Sequence, residues 1–408
     1  MPWLLISSWM WHLTRWDGLF LGTYLVTHLG APPLANQFVG VAMFAPLLLG
    51  AYVSSRVDVD VEPRKLVLLT EVVLLPVSVL MAVLVGTGAV ATWMVYPFEL
   101  AYGIGGMVNM TAQRELLFRI AGPHRSTRVL NTELTGMASA MMLGPLIGGI
   151  TIAVFGLGAA FTFLVVLLAF SAPMLWLSTR RLPVQPRPDT MARAKTDWQL
   201  LRRSRTLAVV LLVTIICNLC YFAFMPLVPV IAKHLNAGPA MAGVIGATAG
   251  VVQLVIAAAL VVRPVRRPLV AYTFGVALCL CCLAILAYSP MVSVALLALG
   301  VAGIGQGLFG STQATLPVAV VAPHERAAAL GLLATTIGVA LPTGMVVLGV
   351  TSSLFGAQQA MLLSALIGLA ALAATLAGNQ RLMRAPMSGG ATGVGGEGDS
   401  VPAQSELS

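Results

Sequence analysis

The chain has 408 residues, of which 58% are hydrophobic and only 9% are charged, with a formal net charge of +9 at pH 7. Soluble globular proteins carry about 25% charged residues, so this composition excludes a soluble fold and requires a surface that faces lipid. The five cysteines lie in apolar segments without neighbouring histidines or carboxylates, which indicates packing residues and argues against a metal site.

Twelve apolar stretches are each long enough to cross the ~30 Å hydrocarbon core of a bilayer as a helix. None alternates like a β-strand, so helices must satisfy the backbone hydrogen bonds in lipid. In chain order the predicted spans are approximately Trp3–His28, Asn36–Ser55, Leu66–Val85, Ala91–Ala112, Leu130–Val154, Ala159–Ser178, Leu207–Ala232, Pro239–Val262, Val270–Tyr288, Met291–Thr312, Ala327–Val350 and Gln359–Leu376.

A polar, basic, proline-containing stretch divides these spans into two groups of six. We therefore expect an N-terminal six-helix bundle over 1–178, a cytoplasmic linker over 179–206 and a C-terminal six-helix bundle over 207–378. The final residues, 379–408, are rich in glycine and serine, which predicts a disordered cytoplasmic tail.

A repeat relates the two groups. The run that starts at Gly103 aligns without a gap with the run that starts at Gly303, and seven of 22 positions are identical. Two matching halves of membrane helices are the plan of secondary transporters with parallel repeats. The sequence thus predicts an all-α membrane protein with twelve transmembrane helices in two six-helix parallel repeats.

The placement of basic residues predicts the orientation. Of the 23 lysines and arginines, 21 lie in every second connection or in the tail, so the positive-inside rule places both termini in the cytoplasm of a multi-pass cell-membrane protein. The first span lacks a basic n-region and carries Arg15 and Asp17 near its centre, so we expect no cleavable signal peptide. Only Met1 and Pro2 precede it, and a true start further upstream is a further expectation.

The fifth span contains the most specific motif, Gly144-Pro145-Leu146-Ile147-Gly148-Gly149. Proline interrupts helix hydrogen bonding and glycines let another backbone approach closely, which favours a bendable, tightly packed helix. Here the chain resembles the major facilitator superfamily, whose proton-antiporting exporters carry G-x-x-x-G-P-x-x-G-G in this span. The general layout is also similar to the drug and siderophore exporter group. The resemblance implies export in exchange for protons by rocking of two halves about a central cavity.

Two other motifs of that superfamily are present in altered form. The loop after the second span normally holds an acid beside its bases, whereas here serines precede Arg56, and Arg64-Lys65 follow later. In the fourth span Glu99 occupies the place where many relatives carry arginine. The resemblance therefore implies a similar loop but puts the usual acid latch in doubt.

Asp17 and Glu99 lie near the middle of spans, where a charge costs at least ~2.5–3.5 kcal/mol on insertion scales. Desolvation favours the protonated form of a carboxyl group, so such a group can exchange a proton near neutral pH. Our hypothesis is that Asp17 or Glu99 is the proton-coupling acid. The alternative for Asp17 is a purely structural pairing with Arg15 or with another helix.

Other polar residues in the spans are candidates for cavity or gate positions. The cavity candidates are Arg15, Tyr102, Asn109, Asn218, Tyr221 and Gln253, with Gln306 as a further polar position. The cytoplasmic gate or loop candidates are Arg56, Arg64, Lys65, Arg114, Glu325 and Arg326. We expect Glu71 to snorkel or to pair with loop bases, Glu133 to be a gate or loop charge, and His12 to be a hydrogen-bonded helix residue.

The function expected from these features is export of a small amphipathic molecule in exchange for protons, through a mainly apolar cavity. The dipeptide Gly-Lys of a Walker A motif is absent, so ATP is not expected to drive transport. We expect no catalytic residues, cofactor, metal or nucleic acid, and we expect a monomer whose partners are a small-molecule substrate, protons and membrane lipid. A solute/proton symporter and a non-transporting membrane sensor with the same fold are the alternatives.

Overall fold

A computed structural model describes residues 2–48, 62–121, 126–180, 198–263, 265–313, 315–380 and 382. Within these ranges the chain is helical and contains no β-strand, which confirms the predicted fold class. The twelve long helices are α1 Pro2–His28, α2 Pro33–Phe44, α3 Pro63–Gly86, α4 Thr92–Ala121, α5 Ser126–Phe155, α6 Leu157–Thr179, α7 Arg205–His234, α8 Pro239–Val262, α9 Pro268–Ala287, α10 Val292–Gln313, α11 Arg326–Phe355 and α12 Ala357–Ala377. Two short helices, Gln199–Arg203 and Leu316–Ala319, lie in connections.

Nine of the described helices, α3 and α5 to α12, are long and apolar enough to cross a membrane. After a turn at Ala45, α2 continues to Leu48 and is shorter. The helices α1 and α4 have 27 and 30 residues and carry ionisable side chains within their length. Together these helices make up the twelve that the sequence predicts.

Proline and glycine set many of the helix boundaries. Pro33, Pro63 and Pro268 occupy the first helical position, where the missing N–H would have no partner. Gly156 and Gly356 have φ angles of 87° and 86° at the α5–α6 and α11–α12 turns, a conformation that disfavours side chains. These two glycines are 200 residues apart, the same offset as the sequence repeat, so the repeated turn is also structural.

Both halves, α1–α6 and α7–α12, pack by the same internal contacts. Gly103 of α4 lies against backbone carbonyls of α2, and Gly303 of α10 lies against a backbone carbonyl of α8. Gly105 of α4 packs on α3, and Gly305 of α10 packs on α9. The repeat-related glycines therefore contact repeat-related helices, which confirms two parallel six-helix halves.

The two halves meet along α2–α11 and α5–α8. We call the end of the bundle that holds the 28–33 and 234–239 connections the far face, and the opposite end the termini face. Near the far face Asn36 Nδ2 donates to the Pro226 carbonyl at 3.2 Å, and Gln37 Nε2 donates to the Ala223 carbonyl at 3.1 Å. The halves are thus joined by hydrogen bonds on the far-face side.

The structure differs from the sequence prediction in α7, where we expected one regular helix. A π-helical turn over Cys217–Tyr221 and a 3₁₀ segment over Phe222–Leu227 interrupt it. Pro226 and Pro229 have no N–H to donate, so the carbonyls one turn earlier lose their helical partners. The amide side chains of α2 bind two carbonyls of this irregular segment, which places it at the contact between the halves.

Several predictions fall on positions outside the described residues. These positions include Arg56 in the second loop, residues 181–197 of the expected linker and residues 383–408 of the expected tail. The side chain of Arg114 also lies outside the described set, although its backbone belongs to α4.

Candidate functional site

A cavity of about 60 Å³ lies between the halves, lined by α1 and α5 on one side and by α7, α8 and α10 on the other. No charged side chain lines it in the described part of the chain. Its aromatic and methionine side chains are Trp16, Phe20, Phe222, Phe224, Met141, Met142 and Met225. The volume is well below the ~300–1,000 Å³ of typical ligand pockets, so side chains or helices must move to admit a drug-sized molecule. Methionine side chains adapt easily to such repacking.

Gln306 is a polar side chain of the cavity wall, and it is only 5% exposed. Its Nε2 donates to the Tyr221 hydroxyl at 2.7 Å. The Cys279 thiol lies 3.5 Å from the Ala302 carbonyl, to which it donates. Gln306 Oε1 has no hydrogen-bond partner among the described residues, and neither does Trp16 Nε1 across the cavity.

Asp17 lies at the contact between α1 and α5, next in sequence to a cavity residue but not itself in the cavity wall. It is 1% exposed, and neither carboxylate oxygen accepts a hydrogen bond within the described part of the chain. A Cβ added at Gly148 would collide with Asp17 Oδ1, and one added at Gly144 would lie 2.7 Å from the Asp17 backbone nitrogen. The glycines of the α5 motif therefore make the room that this carboxylate occupies.

Glu99 is placed differently, on α4 against α1, and is also 1% exposed. A Cβ added at Gly22 would lie 2.6 Å from Glu99 Oε1. Neither carboxylate oxygen of Glu99 accepts a hydrogen bond within the described part of the chain, and the Arg15 guanidinium lies against Gly106 of the same helix as Glu99. The Arg15 guanidinium carbon also lies 5.8 Å from the ring centroid of Phe44. Glu99 thus lies between two helices of the N-terminal half, α4 and α1, whereas the Asp17 carboxylate contacts α5.

The α5 motif contacts both halves at once. Gly144 and Gly148 face α1 in their own half, whereas Gly149 faces α8 in the other. A Cβ added at Gly149 would lie 2.6 Å from the Pro239 carbonyl oxygen, and Pro145 lines the cavity and contacts Gly243 through its own carbonyl. This spacing lets a single turn of α5 contact the acid on one face and the opposite half on the other.

The remaining cavity candidates lie apart from the cavity wall. Tyr102 is buried in the N-terminal half, stacked 6.3 Å from Trp11, and its hydroxyl is 2.7 Å from Ser78 Oγ. Asn109 is fully buried in α4. Asn218 Nδ2 donates at 2.9 Å to a carbonyl of its own helix.

Two candidates lie in the C-terminal half. Tyr221 reaches it through Gln306, which lines the wall. Gln253 of α8 packs beside α10, where a Cβ added at Gly310 would lie 3.3 Å from its Nε2.

The gate candidates lie in polar surroundings at the ends of helices. Arg64 donates to the Thr179 carbonyl at 2.9 Å and forms an ion pair of 2.7 Å with Glu62. Glu325 lies 3.7 Å from Arg203, while Lys65 and Arg326 are exposed.

Sequence reasoning missed or misplaced other buried polar groups. His12 Nε2 and Glu133 Oε1 form a buried hydrogen bond of 3.0 Å between α1 and α5, which confirms His12 as a hydrogen-bonded helix residue and shows that Glu133 is not a loop charge. Glu71 does not snorkel, because it is 1% exposed and accepts a hydrogen bond from Ser171 at 3.1 Å. From the sequence alone, Trp16 is interpreted as an apolar residue of the first span. Trp16 directly precedes Asp17 in the sequence, but the sequence does not show that the Trp16 side chain lines the cavity.

The profile of the Major Facilitator Superfamily matches residues 18–340. The chain belongs to this superfamily. Among solved structures, it is similar to the nucleoside transporter NupG, with 15% identity, a TM-score of 0.68, and coverage of 92% of this chain and 98% of that one. It is similar to a bacterial homolog of the human lysosomal transporter Spinster in an inward-facing, unoccupied conformation, with 14% identity, a TM-score of 0.69, and coverage of 92% and 95%.

A third similar structure is a POT family transporter in complex with a thioalcohol-conjugated peptide, with 10% identity, a TM-score of 0.73, and coverage of 93% and 96%. At these identities the likeness shows the fold alone. No curated protein matches the sequence. Membership in the superfamily confirms the resemblance at that level, and the chain is a multi-pass membrane transporter of small molecules rather than an enzyme.

Proposed function

We propose that this transporter is a monomer that exports a small amphipathic molecule across the cell membrane in exchange for protons, as the drug and siderophore exporters that it resembles do. The observation that carries the proposal is the contact between the Asp17 carboxylate and Gly148 of the α5 motif. The apolar wall of the cavity supports an amphipathic substrate over a sugar. The distribution of basic residues supports termini in the cytoplasm, so the far face would be the outer surface.

The coupling step follows from two neighbouring glycines. Gly148 packs against Asp17, and Gly149 packs against the backbone of α8 in the other half. Neither Asp17 carboxylate oxygen accepts a hydrogen bond in the described part of the chain, so a proton is what can neutralise it there. A buried, unpaired charge is strongly unfavourable, so loss of the proton draws water or donors between α1 and α5. Movement of α5 then alters its contact with α8.

Of the two candidate acids, we propose Asp17 for proton exchange, because its carboxylate lies against Gly148 of the α5 motif, whereas Glu99 lies against Gly22 inside the N-terminal half. We propose that Glu99 and Arg15 hold α1 and α4 together inside the N-terminal half. At the termini face we propose an inner gate that includes Arg56, Arg64, Lys65, Arg114, Glu325 and Arg326.

The experiment uses everted membrane vesicles, acidified inside and loaded with a pH-sensitive fluorophore. Chloramphenicol, norfloxacin and ethidium are added as neutral, zwitterionic and cationic probes. Antiport releases protons from the lumen, whereas symport of an added probe carries protons in. Wild-type protein that binds a probe without either signal would instead be a sensor.

The variants that test the acid are Asp17→Asn and Glu99→Gln. We expect Asp17→Asn to lose probe-dependent proton release, because an amide cannot exchange a proton. Glu71→Gln is the matched control, since Glu71 is an equally buried carboxylate that bonds Ser171 in α6. Proton release at the wild-type rate in both Asp17→Asn and Glu99→Gln would refute the coupling proposal.

A further inference from the structure

The cavity between the halves has an apolar wall with two buried polar atoms that lack partners in the described part of the chain. One is a donor, Trp16 Nε1 on α1, and the other is an acceptor, Gln306 Oε1 on α10. The third polar group, the Thr23 hydroxyl, already donates to the Leu19 and Phe20 carbonyls at 2.9 Å. Each half of the transporter thus contributes one polar atom with unused hydrogen-bonding capacity.

Gln306 uses one of its two polar side-chain atoms within the protein. The Tyr221 hydroxyl accepts a hydrogen bond from Gln306 Nε2 at 2.7 Å. Since Nε2 bonds Tyr221, the atom of Gln306 without a partner in the described part of the chain is the acceptor Oε1.

A buried polar atom without a hydrogen bond is unfavourable, so a ligand that supplies the missing partner gains affinity. We infer that the cavity binds an uncharged, compact, largely apolar molecule that carries one hydrogen-bond acceptor for Trp16 Nε1 and one donor for Gln306 Oε1. This inference names the substrate chemistry of the proposed exporter and rests on that proposal for the cavity being the transport site. Trp16 and Gln306 are then the residues that determine specificity.

The charge of the substrate follows from the cavity wall. A permanent cation would leave its hydration shell and meet no carboxylate there, which is strongly unfavourable. Asp17 is adjacent in sequence to Trp16, but its carboxylate lies against Gly148 of α5 and does not line the cavity. The acid is thus placed to carry a proton without binding the substrate.

The test measures binding by equilibrium dialysis to the full-length protein in lipid nanodiscs, with empty nanodiscs as the background. Three small bicyclic probes are compared. Carbostyril has an N–H donor and a carbonyl acceptor, N-methylcarbostyril keeps only the acceptor, and N-methylquinolinium is a cation without either group. The variants are Trp16→Phe, which removes the donor, and Gln306→Met, which removes the acceptor at similar length.

We expect Gln306→Met to weaken carbostyril binding about 3- to 10-fold, the usual effect of one neutral hydrogen bond, and to leave N-methylcarbostyril binding unchanged. Trp16→Phe should weaken both neutral probes by a similar factor, since both keep the carbonyl. The cation should bind the wild type at least about tenfold more weakly than carbostyril, because it meets no counter-charge.

Three results would overturn the inference: tighter binding of the cation than of carbostyril, an equal effect of Gln306→Met on both neutral probes, or no binding of any probe above the empty discs. An equal effect would mean that Gln306 acts through the packing of Tyr221. The binding assay uses no proton gradient. If the protein shows the expected binding pattern but moves no protons, only the proposed proton exchange is contradicted. Proton exchange with a reversed probe preference contradicts only the inference.

Discussion

Replacing Gly149 with alanine puts a methyl group into the contact between the halves. A Cβ at this position would lie 2.6 Å from the Pro239 carbonyl oxygen and 2.8 Å from the Gly243 Cα. Both are backbone atoms of α8, so neither can rotate away as a side chain would. We therefore expect the substitution to push α5 and α8 apart in the conformation observed.

The magnitude follows from the geometry. Non-bonded carbon atoms prefer a separation of about 3.5–4.0 Å, so the helices must part by roughly 1 Å at this point. Overpacking of this kind costs about 1–3 kcal/mol. Since 1.4 kcal/mol is a factor of ten, the observed conformation should lose about 5- to 150-fold in population relative to one in which α5 and α8 lie further apart. Alanine also stabilises a helix more than glycine does, but every conformation in which α5 stays helical shares that gain.

Distances between spin labels report the change. Labels at Thr87→Cys and Ser353→Cys, both exposed at the far-face ends of α3 and α11, are introduced in a Cys281→Ser background to remove the exposed native thiol. We expect Gly149→Ala to increase the population with the longer distance. Gly300→Ala is the matched control, because no atom lies within 4 Å of its added Cβ. If both variants gave the wild-type distance distribution, the steric reasoning would be wrong.

Three further substitutions test contacts elsewhere. Asn36→Leu removes the bond to the α7 carbonyl and should shift the same label distances in the same direction by about 3- to 10-fold in population; unchanged distances would mean that this bond does not hold the far face. His12→Leu leaves the Glu133 carboxylate buried without that partner and should cost about 3–5 kcal/mol, with a lower thermal midpoint in detergent. The double variant with Glu133→Leu should recover most of that midpoint, and a further drop would count against a buried pair. Gly103→Ala and Gly303→Ala each place a Cβ 2.5 Å from a backbone oxygen, so both should lower the thermal midpoint through overpacking of about 1–3 kcal/mol. A loss in only one of them would argue against equivalent packing in the two halves.

The fold could be predicted because its signals lie within single segments. Apolar length gives the number of helices, and the match between the Gly103 and Gly303 runs gives the two halves. The interruption of α7 could not be read from apolar length. Pro226 and Pro229 mark the region, but carbonyls of the 3₁₀ segment accept from amide side chains of α2, a contact that the sequence of α7 alone does not show.

The site was only partly predictable, for a different physical reason. Asp17 and Gly148 each stand out in the sequence, yet their contact depends on how α1 and α5 rotate against each other. Polar residues inside membrane helices bond other helices as readily as they face a cavity, and Tyr102 does so through Ser78. Trp16 gave no polar signal, because its one polar atom belongs to a mainly apolar side chain.

The contact between α5 and α8 has a consequence for how the transporter responds to its surroundings. Where Gly149 meets Gly243, the contact consists of backbone and Cα atoms, without a charged or titratable side chain. Close packing and dispersion forces stabilise this contact, and salt does not screen them. The two halves should therefore separate along the α5–α8 contact at the same rate in dilute and in concentrated electrolyte. Any dependence of that rate on pH must come from titratable groups outside this contact.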